Sequence, residues 1–173
     1  MKQAITVGTL ALALASCTGM SMTGAGPSAV AKLEATKGNT TAGTVEFREQ
    51  GGKVQVVANV TGLAPNQEHG FHVHEKGDCS SGDGMSAGGH FNPDGRPHGP
   101  QSAPHHVGDM PSLRSDASGN AKARFELDGV SVAMGPNSVV GRGLIVHKDP
   151  DDYKTQPTGN AGARLACAVI RAS

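Results

Sequence analysis

Residues 43–60 read GTVEFREQGGKVQVVANV. Apolar and polar residues alternate on both sides of Gly51-Gly52. Period-two alternation marks half-buried strands, and a Gly-Gly pair between two such runs is a hairpin turn. The pattern is already present upstream, in AVAKLEA at 29–35. After a turn at Pro65-Asn66 it returns in HGFHVHE at 69–75, AKARFEL at 121–127, a segment at 138–147 and RLACAVI at 164–170. There is no internal repeat and no convincing helical period. Short strands, turn signals and two long polar loops, 76–111 and 148–163, predict an all-β fold: an antiparallel Greek-key β-sandwich or flattened barrel.

Composition agrees. With 173 residues the chain suggests one domain, and 25 Gly and 10 Pro point to many turns. The core must be light, since there are 4 Phe, 1 Tyr and no Trp. Net charge is +0 and no basic groove is visible, which argues against a nucleic-acid partner.

The first residues read as an export signal. Lys2 supplies the positive start, and the apolar run from Ala4 to Ala15 is too short to span a bilayer as a mature helix. It ends in Leu14-Ala15-Ser16-Cys17, which resembles a bacterial lipobox. Cys17 would then carry lipid and become the new N-terminus. Thr18 follows it where an Asp would favour inner-membrane retention, so outer-membrane sorting is expected. The expected organisation is a signal peptide at 1–17, a flexible tether at 18–28 (TGMSMTGAGPS) and a domain at 29–173 in the periplasm. Membrane contact is expected only through the lipid anchor. Removal of the signal leaves Cys79 and Cys167, and an exported pair in an oxidising compartment is most simply a disulfide.

Histidine usage is the chemical signal. His72 and His74 are two apart in a predicted strand, so both face one side. His90, His98 and His106 follow at intervals of eight, with Asp109 three beyond, and three imidazoles plus a carboxylate suit tetrahedral zinc. His147 closes the apolar run GLIVH, far away in the chain. Seven ligands are too many for one ion. One shared imidazole would divide them between copper, which favours nitrogen ligation, and zinc. Spacing does not say which imidazole is shared.

Five blocks, GFHVHEKGDC at 70–79, GGHFNPDGRPHG at 88–99, HHVGD at 105–109, GRGLIVH at 141–147 and GNAGARLACAVI at 159–170, resemble the copper/zinc superoxide dismutase family in content and order. The resemblance covers essentially the whole chain from about residue 30. It implies a copper ion on His72, His74, His90 and His147, and a zinc ion on His90, His98, His106 and Asp109, with His90 shared. It implies dismutation of superoxide to oxygen and hydrogen peroxide, with Arg164 orienting the anion and His90 taking up a proton. It also implies an aspartate that hydrogen-bonds ligands of both metals. Asp151 fits that role, with Asp152 the competing choice. The early position of Cys79 is similar to bacterial members. The alternative is a periplasmic copper- or zinc-binding buffer or carrier, which has less need for Arg164 and a shared imidazole. His69, at an odd offset from His72, is expected to be structural, and His105 to face solvent. Strand patterns leave monomer or homodimer open.

Overall fold

The computed structural model describes residues 26–173, and Met1. The expected signal, the lipobox with Cys17 and most of the tether lie outside the described residues. Ten strands follow: β1 (Ser28–Ala35), β2 (Ala42–Gln50), β3 (Lys53–Thr61), β4 (Glu68–His69), β5 (Phe71–His74), β6 (Leu113–Arg114), β7 (Ala121–Leu127), β8 (Gly143–His147), β9 (Arg164–Val169) and β10 (Arg171–Ala172). Among the described residues the one helical element is a 3-10 turn at Met85–Ala87. No helix there is long and apolar enough to cross a membrane.

The main sheet runs β5-β8-β9-β1-β2-β3-β7, with β10 on β1, and every ladder in it is antiparallel. The β2–β3 hairpin pairs Gln50 with Lys53 across Gly51-Gly52, both at positive φ as the tight turn requires. The sheet curls around one core. Phe47 of β2, Val54 and Val56 of β3, Phe71 of β5 and Leu144 and Val146 of β8 belong to a single buried cluster. This is the Greek-key β-barrel architecture that the strand pattern predicts.

Three local expectations need correction. The run 69–75 is not one strand: it breaks at Gly70, and the first half, β4, pairs with β6 rather than with the main sheet. The strand expected over 138–147 starts only at Gly143, because Ser138–Arg142 form turns around an isolated Ser131–Ser138 bridge. Ser28, expected in the tether, is already in β1 and pairs with Arg48.

What positions the site is the way β5 and β8 are covered. Both strands are buried along their whole length. Phe71, Val73, Leu144 and Val146 face the core, which leaves His72, His74, Ile145 and His147 on the opposite face. The free edge of β5 is closed by the long loop: Val73 N–H donates to Gly108 O (2.9 Å), Phe91 N–H to Val73 O (2.8 Å) and Gly108 N–H to Phe91 O (2.8 Å). These bonds satisfy an edge that would otherwise be exposed. They also set His90 beside His74 and Asp109 beside His72 as isolated bridges. A side chain at Gly108 would collide with Val73 O, so this close approach needs glycine.

Candidate metal centre

Two ligand groups emerge from buried residues. One nitrogen from each of His72, His74, His90 and His147 lies within 4.8 Å of those of the others. The same limit holds for one atom from each of His90, His98, His106 and Asp109. His90 belongs to both groups. His69 and His105 belong to neither.

Hydrogen bonds select the free nitrogen of each ring. His72 Nε2–H donates to Asp151 Oδ2 (2.6 Å), which leaves Nδ1 as the lone-pair nitrogen. His74 Nδ1–H donates to Gly88 O (2.9 Å) and His147 Nδ1–H to Gly162 O (3.2 Å), which leaves Nε2 of each. The buried ring nitrogens without a hydrogen bond include Nδ1 of His72 and Nε2 of His74, His90 and His147. A buried acceptor with no partner costs free energy, typically about 1–3 kcal/mol. Four of them facing one another is a stronger demand, and a cation meets all four together. Fixing a ring through its second nitrogen is how metal-binding histidines are oriented.

The second group centres on Asp109. Its Oδ1 lies 2.8 Å from His90 Nδ1, 2.9 Å from His98 Nδ1 and 3.3 Å from His106 Nδ1. The His98 contact is short but is not aligned as a hydrogen bond, and Nδ1 stays unpartnered. Asp109 Oδ2 accepts the N–H groups of Gly99 (3.1 Å) and His106 (2.9 Å). Convergence of three ring nitrogens on one carboxylate oxygen suits a tetrahedral cation with N₃O ligation.

The electrostatics fit cations in both places. Burial lowers His72 to about 4, against the pull of Asp151, and lowers His147 to about 3. It holds His74 well below the usual range. These rings are neutral, as metal ligation requires. In the second group, burial opposes charge on His98, but Asp109 and Asp151 outweigh it and push the ring up to about 9. Burial also works to raise Asp109 and Asp151. The hydrogen bond from His90 and the close His98 ring at the first, and hydrogen bonds from His72 and His98 to the second, hold both carboxyls well below the usual range. Asp109 and Asp151 thus draw positive charge to His98, whereas burial lowers His106.

Asp151 is the aspartate that touches both groups: Oδ2 meets His72, and Oδ1 meets His98 Nε2 at 2.9 Å. Asp152 is exposed and caps Lys154 N–H, Thr155 N–H and Thr155 Oγ1 instead. Gly159, at φ 65, packs against Asp151 Oδ1 and His98 Nε2, where any side chain would part them.

Arg164 opposes His147 across β8 and β9, at a bulge where the register slips between Val146 and His147. Its guanidinium donates to Gly84 O (2.7 Å) and Gly88 O (2.6 Å) of the long loop. Gly88 O also accepts His74 Nδ1–H, so the guanidinium sits beside the first group, and its charge adds to burial in lowering His74 and His147. The loop is pinned next to it by the disulfide Cys79–Cys167, which closes a separation of 88 residues. In the chain-entropy view such closure is worth about 4–5 kcal/mol.

His69 is fully buried, and its Nδ1–H donates to His147 O (2.9 Å). His105 is half-buried, and its Nδ1–H donates to Ala103 O (2.7 Å). Sequence reasoning missed Tyr153 and Gln156. Tyr153 N–H donates to Asp151 Oδ1 (2.7 Å), and its hydroxyl accepts Ser112 N–H (2.9 Å). Gln156 accepts His98 N–H (2.8 Å) and donates to His98 O (2.9 Å). Neither lies at a spacing that carries a metal signal.

Residues 41–170 match the family model described as copper/zinc superoxide dismutase (SODC). The chain is similar to a protein of Paramecium bursaria Chlorella virus 1 named Cu-Zn superoxide dismutase, 43% identical over 150 residues, which cover 83% of this chain and 77% of that one. It is also similar to Cu-Zn superoxide dismutase 2 of Aquifex aeolicus, 41% identical over 136 residues, 75% of this chain and 78% of the relative. Among solved structures it is similar to the clock protein EA4, with a TM-score of 0.75 and 41% identity, covering 83% of this chain and 93% of that one.

Proposed function

The chain belongs to the copper/zinc superoxide dismutase family, and from that premise we propose how its residues divide the work. The reaction is dismutation: two superoxide anions and two protons give one dioxygen and one hydrogen peroxide. The cofactors are copper and zinc. His72, His74, His90 and His147 would hold copper, and His90, His98, His106 and Asp109 would hold zinc. The observation that carries this assignment is the set of buried, unpartnered ring nitrogens on the first four histidines.

When bound, copper would supply the one-electron couple between Cu(II) and Cu(I), and zinc would supply fixed positive charge. The protein's own groups do the rest. Arg164 draws the anion in and orients it with forked donors, from a guanidinium whose position the loop carbonyls set. His90 would hold and release a proton at Nε2, the nitrogen with no protein partner, while its Nδ1 faces the second group, 2.8 Å from Asp109 Oδ1. Asp151 fixes the rings of His72 and His98 through their second nitrogens. A metal buffer or carrier has no use for a cation held beside His74 and His147, which favours the enzyme. His147→Ala should lose copper and accelerated superoxide decay together; full activity in that variant overturns the copper assignment.

We propose in addition that the chain is a bacterial exported type, anchored by lipid on Cys17 to the outer membrane and facing the periplasm, with the folded domain beginning at β1. The lipobox-like LASC before Thr18 supports this, and a disulfide fits an oxidising compartment. Incorporation of labelled palmitate that is lost in Cys17→Ser tests the anchor; labelling unchanged by the substitution refutes it.

A further inference from the structure

His98 differs from the other ligand candidates that strands or strand-like bridges hold. His72 and His74 lie in β5 and His147 in β8, and His90 is bridged to His74. His98 sits in the irregular loop and pairs with no strand. Its ring is nevertheless buried and hydrogen-bonded to Asp151 at Nε2. Something else must fix its backbone.

The answer lies in the other loop. The Gln156 side-chain amide accepts His98 N–H through Oε1 (2.8 Å) and donates from Nε2 to His98 O (2.9 Å). This is the two-bond exchange that a residue on a neighbouring strand would offer, supplied by one side chain. Tyr153 adds a second grip. Its hydroxyl meets Ser112 N–H and Ser112 Oγ, both at 2.9 Å, just beyond the ligand loop. Its ring lies parallel to the His98 imidazole, 2° between planes and 6.4 Å between centroids. Its backbone N–H donates to the same Asp151 oxygen that receives His98 Nε2–H. Residues 151–156 thus hold His98 by ring and backbone while the same segment reaches His72.

We propose that Gln156, seconded by Tyr153, is a positioning residue for the zinc ion. It docks the short loop on the long one and so sets the His98 ring against Asp109. The proposal rests on the reading of His98 as a zinc ligand. Outer hydrogen-bond partners of this kind typically change metal affinity about 10–100-fold when removed.

The test uses the full chain with copper in place and cobalt(II) substituted for zinc, because tetrahedral cobalt reports ligand geometry in its visible bands. Gln156→Met keeps the length and removes both bonds. Gln156→Glu keeps the acceptor for His98 N–H and loses the donor. We expect cobalt to leave Gln156→Met about tenfold faster or more, with shifted bands, and Gln156→Glu to fall between it and the parent. Tyr153→Phe should shift the same bands in the same direction, and it carries the test if Gln156→Met does not fold. Parental rates and bands in both Gln156→Met and Tyr153→Phe, while His98→Ala binds no cobalt there, overturn the proposal and leave the ligand assignment standing. Cobalt bands untouched by His98→Ala overturn the ligand assignment, and the proposal with it.

Discussion

Asp151→Asn tests the coupling of the two metal groups most sharply. Both histidine partners use their Nε2–H toward the carboxylate, at 2.6 Å from His72 and 2.9 Å from His98. Both would use Nδ1 for metal. An amide at this position can accept through its oxygen, but its NH₂ must face a second N–H donor. One bond to an ionised acceptor is lost, and a donor–donor clash replaces it. Hydrogen bonds to charged groups contribute about 1.5–3 kcal/mol. A loss of about 2 kcal/mol corresponds to about 30-fold, inside the 10–100-fold range typical for such partners. We assign the loss mainly to zinc, because His72 is fixed in β5 whereas His98 sits in a loop whose backbone is held at that residue by the Gln156 side chain. The assay is competition for zinc against a chelator with copper bound. Asp152→Asn is the control: Asp152 is exposed and caps only its own turn, so zinc affinity should change less than about twofold. Zinc binding within about threefold of the parent in Asp151→Asn, or an equal loss in Asp152→Asn, would refute the reasoning.

Arg164→Ala should lower kcat/KM at least about tenfold and flatten its dependence on ionic strength, because the steering cation is gone while the ligands remain; stopped-flow decay across a salt series measures both. The metal-free protein should lose stability on acidification. His72 at about 4 and His147 at about 3 stay neutral when folded, whereas their unfolded forms take up protons below about 6.5. The unfolded state therefore binds more protons between these limits, and stability falls as pH drops through 6.5. The cost should reach at least about 2 kcal/mol by pH 4.5. His98, raised to about 9, acts the other way, and its contribution fades as pH rises from about 6.5 toward 9. Urea midpoints at pH 7 and 4.5 check this, and equal midpoints would contradict it.

Much of the fold is readable because the strands of one half of the sheet are half-buried. β1, β2, β3 and β7 alternate clearly, and Gly51-Gly52 marks the hairpin. β5 and β8 are buried on both faces, so alternation cannot bound them, and β8 starts five residues after the expected Ser138. β4 and β6 are two residues each, held by a pairing between segments far apart, which no local pattern reports. At the site, His72 and His74 were visible from strand period alone. The choice of His90 as the shared ring, and of Arg164, came from resemblance. Asp151 and Asp152 could not be separated, since the chain turns after Pro150 and the offset from His147 carries no direction. The Gln156–His98 clamp joins two irregular loops 58 residues apart, and only the folded chain displays it.

The central claim is that these buried nitrogens hold a copper ion that turns over superoxide. It is tested most directly by the superoxide decay rate of the purified protein, copper-loaded against copper-stripped, with zinc present in both. The account predicts rapid, copper-dependent decay that disappears on stripping and returns on reloading. Tight copper binding with no acceleration of decay would contradict it and leave a metal carrier in its place.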